Sequence, residues 1–350
     1  MRVHCFTSIS FSYLNRARVL GDTLRRHHPN WVLWLLVTDK APAGFSLRLD
    51  GEPWDRLVYV TDLEIPRVAS WIFKHDIVEV CTAVKGLFLE CLTRTDADKI
   101  IYLDPDIAVL NSLQPMLDML EENSILLTPH QLDPDDQTQS IWDNEICSLA
   151  HGTYNLGFLA VRNDSTGQAC ARWWANRCMR FCYDEKERGL FVDQKWCDLI
   201  PAFFDRVRVV RDPGYNVASW NLNCRVVTAA SDGQFFVNGK FPLRFFHFTK
   251  LGPIGDSMTW RYAKANCEVY ELWAWYKQKV LEMSDPRIPA GWWHYGSYSN
   301  GEPIDKSARL IYRLRADLQE AFQDPFDATG YLQWLRTQGR LEYPELGAKG

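Results

Sequence analysis

Short apolar runs alternate with stretches of helical spacing through the first hundred residues. Apolar runs of four to seven residues predict buried strands, and the segments between them carry apolar residues at intervals of three and four. The predicted strands are residues 3–6, 31–37, 56–60 and 100–103, and the predicted helices are residues 13–27 and 72–92. This alternation predicts an α/β fold, in which helices flank both faces of a mostly parallel sheet.

The pattern changes near residue 250. Before it, further strands are predicted at residues 125–127, 158–161, 203–210 and 244–248, with a helix at 167–183. After it come a long aromatic helix at 260–283, a Gly-rich aromatic loop at 291–301, and helical segments at 306–322 and 330–337. We therefore predict an α/β domain at residues 1–250 and a helical, aromatic-rich C-terminal extension at residues 251–350.

Composition narrows the class of protein. The net charge of −5 and the lack of a basic tract argue against nucleic-acid binding. The 15 Trp, 14 Tyr and 18 Phe residues indicate a thick core, a sugar-stacking surface, or both. Ten cysteines without a CxxC pair are typical of reduced thiols, and the longest apolar run, 31–37, is too short to span a bilayer. We expect a cytoplasmic protein, with peripheral association at the inner membrane face left open.

Two carboxylates stand directly after the fourth predicted strand, in the sequence KIIYLDPDIAVL at residues 99–110. In open α/β sheets the ligand crevice lies beyond the carboxyl ends of the strands, so Asp104 and Asp106 are expected at its edge. Mg²⁺ and Mn²⁺ take carboxylate oxygens and commonly bridge them to phosphates. A phosphoryl-transfer nucleophile and a solvated strand end are the other interpretations of the pair.

Two alternative functions fit part of the pattern. A haloacid-dehalogenase-like phosphohydrolase would use Asp104 as its nucleophile. Such enzymes usually have Thr or Val where this chain has Ala108, and their motif commonly lies nearer the N-terminus. A non-catalytic carbohydrate-binding protein would explain the tryptophans but not the spaced acidic residues.

The segment YLDPDIAV resembles the D-x-D strand of GT-A nucleotide-sugar glycosyltransferases. The similarity is greatest to the retaining family that contains glycogenin and the bacterial lipooligosaccharide galactosyltransferases. Four more segments resemble motifs of that family in the same order: TYNLGFLAV (153–161), VDQKWCDLIP (192–201), PGYNVASWN (213–221) and RFFHFTKLG (244–252). The resemblance spans roughly residues 1–252, and it implies that residues 1–250 form a GT-A catalytic domain with a Rossmann-like sheet.

The resemblance also implies roles for individual residues. Asp104, Asp106 and His247 correspond to the metal ligands, and the imidazole favours Mn²⁺ over Mg²⁺. The residues implied in catalysis are Gln194, Asp193 and Asn155. Those implied in donor binding are Thr7, Ser8, Tyr13, Lys85, Asp104, Gly157, Lys250 and Gly252. The closing motif departs from the family pattern, because Lys250 comes early and Gly252 late, and Lys85 stands where most members have Arg.

The implied reaction is transfer of a hexose from a nucleotide-diphosphate sugar, by default a UDP-sugar, with retention of anomeric configuration. A front-side attack in which the departing phosphate takes the acceptor proton is the expected course, and a nucleophilic Asp193 is the alternative. Glycans, lipid-linked saccharides and proteins all remain open as acceptors. Residues beyond 250 resemble the extension of bacterial polysaccharide glycosyltransferases, and their aromatic loop either stacks on an acceptor or packs on the first domain.

Overall fold

The computed structural model describes residues 1–344, which form an α/β structure. Most strands are short, and the two longest, Val3–Ile9 and Tyr154–Arg162, are buried along almost their whole length. In chain order the strands are β1 Val3–Ile9, β2 Val32–Val37, β3 Arg56–Tyr59, β4 Lys99–Leu103, β5 Ile107–Val109, β6 Ile125–Pro129, β7 Tyr154–Arg162, β8 Asp184–Glu185, β9 Leu190–Phe191, β10 Val207–Val209, β11 Val217–Ala218, β12 Val227–Ala229, β13 Phe235–Val237, β14 Phe241–Pro242 and β15 Phe245–His247.

Helices separate most of these strands. They are α1 Leu14–His27, α2 Val68–Phe73, α3 Ile77–Thr93, α4 Gln114–Glu122, α5 Thr138–Ser140, α6 Cys147–His151, α7 Ser165–Phe181, α8 Ile200–Phe203, α9 Pro253–Ala263, α10 Cys267–Glu282, α11 Lys306–Leu314, α12 Ala316–Ala321, α13 Tyr331–Trp334 and α14 Arg340–Glu342. A π-helical turn, Ile141–Ile146, joins α5 to α6 in one continuous helix, which we call the rim helix (residues 138–151).

The central sheet has seven strands in the order β10-β6-β7-β4-β1-β2-β3. Only β7 runs against its neighbours, β4 and β6, and the other pairs are parallel. Side chains alternate between two apolar cores, so Cys5 and Leu103 face one core whereas Phe6 and Tyr102 face the other. These pairings confirm the predicted mostly parallel α/β sheet, and its strands are largely apolar because both of its faces are covered.

Three predicted elements are divided or shortened by local backbone conformations and capping contacts. The helix predicted at 260–283 is two helices, α9 and α10, which a left-handed residue, Lys264 (φ 51°), separates. The helix predicted at 72–92 is also divided, because Asp76 and Glu79 form a capping box that starts α3. The strand predicted at 203–210 is only three residues long, since Phe203 ends helix α8.

The segments after residue 250 pack on the sheet domain. The Tyr276 ring of α10 stacks on Phe248 with centroids 3.9 Å apart. In the aromatic loop, Trp292 donates a hydrogen bond of 2.8 Å to the backbone oxygen of Lys40, and Tyr295 is buried. The proposed boundary near residue 250 stays a prediction, and residues 345–350 of the proposed extension lie outside the described residues.

Among residues 1–344, no helix combines the length and the apolar character that a bilayer crossing requires.

Helices α3 and α7 approach each other closely at Gly86. A methyl group added there would lie 2.8 Å from the backbone nitrogen of Ala175. We expect Gly86→Ala to destabilise the fold by about 2 kcal/mol, because the two helices would have to separate. Urea denaturation at neutral pH measures this, with Ser257→Ala on the exposed face of α9 as the control. A difference under about 0.5 kcal/mol between the two variants would contradict the expectation.

Candidate metal and donor site

An open cavity of about 550 Å³ lies at the carboxyl end of β4. A turn delivers the two carboxylates of the D-x-D segment to it. The Asp104 amide donates to the oxygen of Gly157 at 2.8 Å, and the Ile107 amide donates to the oxygen of Asp104 at 3.1 Å. Asp104 and Asp106 both line the cavity. This volume lies within the range of small-molecule binding sites.

Strand pairing brings His247 to the same place. Strand β5, which begins directly after Asp106, pairs antiparallel with β15, so that His247 lies opposite Ile107. The Phe248 amide also donates to the backbone oxygen of Asp106 at 2.8 Å. His247 is 3% exposed and Asp106 9% exposed, so both side chains face the interior end of the cavity.

The three predicted metal ligands form one cluster. Nε2 of His247 lies 3.0 Å from Oδ1 of Asp106 and 3.7 Å from Oδ2 of Asp104. One ligand atom from each residue lies within 4.8 Å of the others, and no second cluster of this kind occurs in residues 1–344. Two carboxylate oxygens and one imidazole nitrogen suit Mn²⁺ or Mg²⁺, with positions left for phosphate oxygens.

A hydrogen-bond chain fixes the orientation of the His247 ring. Nδ1 of His247 lies 3.1 Å from Oδ1 of Asn155, whose amide nitrogen lies 3.4 Å from Nε2 of His130. The other ring nitrogen of His130 lies 3.1 Å from the backbone oxygen of Thr153. A backbone oxygen can only accept a hydrogen bond, so His130 donates to it through Nδ1 and accepts from the Asn155 amide through Nε2. The side-chain oxygen of Asn155 then accepts from Nδ1 of His247. Nε2 is therefore the ring nitrogen that faces the two carboxylates, as a metal ligand requires.

Charge and burial agree with this arrangement. Burial lowers the pKa of His130 to about 4, so this ring is neutral and accepts through Nε2. Burial would also lower the pKa of His247, but the neighbouring Asp106 and Asp104 raise it above its usual value. The site thus attracts positive charge, and a divalent cation would supply it in place of a proton.

Lys85 is an internal counterion of the site. Its ammonium group lies 3.0 Å from Oδ1 of Asp104, 3.1 Å from Oδ2 of Asp193 and 3.3 Å from the backbone oxygen of Leu156. Burial would lower its pKa, but Asp104 and Asp193 outweigh burial and hold it well above the usual value. The Tyr102 hydroxyl also donates to Asp104. Lys85 therefore balances the buried Asp193 carboxylate and the half-buried Asp104 carboxylate, although the sequence suggested only a donor contact.

The segment with Asp193 and Gln194 forms the opposite wall of the cavity. Oε1 of Gln194 accepts from the Leu156 amide at 3.1 Å, and its amide nitrogen donates to the His151 oxygen at 3.0 Å. Burial raises the pKa of Asp193 to about 6, although Lys85 opposes the shift. Val192, directly before it, has a φ of 39°, a strained value for a β-branched residue.

The predicted donor-binding residues divide into two groups. Lys85, Asp104 and Lys250 line the cavity, whereas Thr7, Ser8, Tyr13, Gly157 and Gly252 do not. Thr7 and Ser8 lie buried in β1, and their hydroxyl groups have no hydrogen-bond partner among the described residues. Tyr13 is partly exposed, and burial followed by the charge of Asp106 raises its pKa. Gly252 begins helix α9 with a φ of 127°.

Gly157 lies directly against the ring of His247. A methyl group there would lie 2.5 Å from Cε1 and 2.7 Å from Nδ1 of His247. We expect Gly157→Ala to displace that ring and to weaken Mn²⁺ binding by about 10- to 100-fold, as loss of an orienting contact does. Titration calorimetry with MnCl₂ measures this. Gly330→Ala, whose nearest neighbour would be 3.4 Å away, is the control. Equal affinities in the two variants would contradict the predicted role of Gly157.

Several residues of the site were not predicted from the sequence. His130 and Tyr102 act through side chains that no motif distinguishes from packing residues. The rim helix also lines the cavity, with Asp143, Asn144 and Cys147. The acidic loop before this helix is joined to it, because Asp135 accepts hydrogen bonds from Ser140 and Asn223.

Two comparisons relate the sequence of this chain to known proteins. The profile of glycosyl transferase family 8 matches residues 87–217, which include Asp104, Asp106, Asn155, Asp193 and Gln194. The chain is 25% identical over 252 residues to the uncharacterized protein YfnD of Bacillus subtilis (strain 168), a match that covers 70% of this chain and 77% of that protein. The profile match over residues 87–217 agrees with the resemblance predicted from the sequence, and the chain is a glycosyltransferase.

Solved structures give weaker likenesses. The galactosyltransferase LgtC, in complex with donor and acceptor sugar analogs, is 16% identical with a TM-score of 0.45, and the match covers 83% of this chain and 99% of LgtC. The glycosyltransferase GlyE of Streptococcus pneumoniae TIGR4 is 16% identical with a TM-score of 0.44, and the match covers 80% of this chain and 64% of GlyE.

Proposed function

We propose that this glycosyltransferase of the family 8 type transfers a hexose from a UDP-sugar to a glycan acceptor, with Mn²⁺ and with retention of configuration. The observation that carries the proposal is the cluster of Asp104, Asp106 and His247 inside a cavity of nucleotide-sugar size. Mg²⁺ is the alternative ion, and the imidazole ligand favours Mn²⁺.

The cluster would hold the ion against the diphosphate of the donor. When bound, a divalent cation offsets the charge that develops on the leaving diphosphate. Asp104 and Asp106 provide the two oxygens, and His247, oriented by Asn155, provides the nitrogen. Lys250 lines the same cavity and would add a positive charge near the phosphates.

The environment of Asp193 supports the front-side course over a nucleophilic aspartate. Its carboxylate is 2% exposed and lies 3.1 Å from the Lys85 ammonium. A carboxylate held in a buried ion pair is a poor nucleophile, because attack would leave Lys85 with only Asp104 as its counterion. In our proposal Asp193 keeps Lys85 in place, the departing phosphate takes the acceptor proton, and Asn155 and Gln194 contact the sugar.

A phosphohydrolase is not favoured. Its nucleophile would be Asp104, but one oxygen of this carboxylate already contacts both Lys85 and the Tyr102 hydroxyl. The family 8 match also does not favour it. For the nucleobase, we propose Thr7, Ser8 and Tyr13, at the end of β1 and just after it. The buried hydroxyls of Thr7 and Ser8 support this assignment, since buried polar groups usually have a partner.

Nucleotide binding tests the donor class directly. Titration calorimetry of UDP, GDP and CMP, each with and without MnCl₂, is expected to give binding of UDP that weakens at least tenfold when EDTA removes the metal. The reason is that the cluster and the diphosphate share the ion. Metal-coupled binding of GDP instead of UDP would indicate a GDP-sugar as the donor, whereas metal-independent binding of all three nucleotides would overturn the metal site.

A further inference from the structure

Two tryptophans stand apart from the other thirteen. All 15 Trp residues lie in the described part of the chain, and only Trp142 and Trp260 are exposed, with 63% and 74% of the residue surface accessible. The remaining thirteen are buried or half-buried, as expected for rings that stabilise the cores. A large aromatic ring held in water contributes little to stability, so exposed pairs of this kind indicate a contact surface.

Both exposed tryptophans are close in the chain to residues that line the cavity or join its two edge helices. Trp142 is in the rim helix next to Asp143, which lines the cavity, and Trp260 is in α9, whose Met258 lines it too. The Asp143 carboxylate joins the two helices, since it accepts a hydrogen bond of 2.7 Å from the Tyr262 hydroxyl and pairs with Arg261. Trp142 is within the π-helical turn, a feature frequent at functional sites.

The local charge indicates what kind of molecule fits there. Residues 131–151 contain five acidic residues, Asp133, Asp135, Asp136, Asp143 and Glu145, and no Lys or Arg. An anionic membrane or a phosphorylated lipid would be repelled from this surface. A neutral glycan suits it, because tryptophan rings cover the apolar faces of sugar rings and carboxylates accept hydrogen bonds from hydroxyl groups.

We propose that Trp142 and Trp260 form an acceptor subsite for a neutral oligosaccharide, outside the donor cavity. The inference rests on the proposed function, and it specifies an acceptor of several sugar units. A chain lying on both rings would place only its terminal sugar inside the cavity. Exposed aliphatic residues on the same two helices, Ile146, Leu149 and Ile254, make a lipid or protein partner the competing occupant.

The test compares ligands of increasing length. Saturation-transfer NMR and titration calorimetry are run with glucose, maltotriose and maltohexaose, and with cellohexaose as a second linkage, in the presence of UDP and MnCl₂. We expect affinity to rise with length for at least one series, and the double variant Trp142→Ala/Trp260→Ala to lose about tenfold or more of hexasaccharide affinity. The variant Trp142→Phe/Trp260→Phe, which keeps rings, is expected to recover most of it.

Controls separate this proposal from the proposed function. Leu281→Ala, at an exposed position of α10, should bind like the wild type. UDP and Mn²⁺ binding of the double alanine variant should stay within twofold, since neither tryptophan lines the donor cavity. Absence of UDP binding to the wild type would refute the proposed function itself. The subsite would be overturned if UDP binding were intact and the double variant did not change hexasaccharide affinity. Tryptophan-dependent binding to phosphatidylcholine vesicles, or to a second copy of the chain, would also overturn it.

Discussion

Asp106→Asn is expected to abolish metal-dependent donor chemistry while the chain stays folded. The change keeps the shape of the side chain but removes one of two carboxylates from the cluster, and Oδ1 of Asp106 is 3.0 Å from Nε2 of His247. A metal ion contributes several kcal/mol to such reactions, and each 1.36 kcal/mol corresponds to a factor of ten. We therefore expect hydrolysis of UDP-glucose or UDP-galactose without acceptor to fall about 1,000-fold, with Mn²⁺-dependent UDP binding lost.

The matched control is Asp133→Asn, the same substitution at an exposed loop position. It should keep wild-type hydrolysis and metal affinity. Thermal unfolding followed by circular dichroism checks that both variants remain folded. If Asp106→Asn keeps Mn²⁺-stimulated hydrolysis within tenfold of the wild type, Asp106 is not a metal ligand.

Lys85→Met is expected to cause the second large effect, on stability as well as on activity. The substitution leaves the buried Asp193 and the half-buried Asp104 without the ammonium that lies between them. Removal of one partner from a buried ion pair typically costs about 3 kcal/mol or more. Urea denaturation in EDTA at pH 7.5 measures the loss of unfolding free energy, and donor hydrolysis should fall because Asp104 loses an orienting contact.

Two further measurements identify the cause of that loss. The double variant Lys85→Met/Asp193→Asn should recover part of the stability, because one of the two unpaired charges is gone. The pKa of Asp193 is already about 6 with Lys85 present, and removing the cation raises it further. A group whose pKa is raised on folding binds its proton more readily in the folded state, so the variant should regain stability as the pH falls from 7.5 to 5. A destabilisation that neither low pH nor Asp193→Asn reduces would indicate a packing defect instead.

Much of the site followed from local patterns. The run Ile100 to Leu103 predicted a buried strand, and the rule that ligands bind beyond strand ends placed Asp104 and Asp106 at a crevice. His247 was predicted only through resemblance, since a single histidine in an apolar segment is more often a packed one. Lys85 was predicted through the same resemblance as a donor contact, whereas its position as a counterion of Asp193 was not predicted.

The misplaced elements have a common physical origin. Helical spacing continues across the break at Lys264, and apolar residues continue from helix α8 towards β10. Periodicity measures which face of a segment is apolar, whereas the ends of elements depend on single backbone conformations and capping contacts. Asp76 and Glu79 show such a contact, and it divides α2 from α3.

The sequence by itself predicted the fold class, the D-x-D turn, the resemblance to glycosyltransferases and the three candidate metal ligands, because each depends on residues close together in the chain or on a motif. Tertiary structure alone decided which groups act together. Pairing of β5 with β15 sets His247 beside Asp106, and the chain from Thr153 through His130 and Asn155 sets its tautomer. The exposure of Trp142 and Trp260 beside the cavity was likewise invisible in the sequence. The physical reason is that strand register and helix packing join distant residues, and no local pattern encodes those contacts.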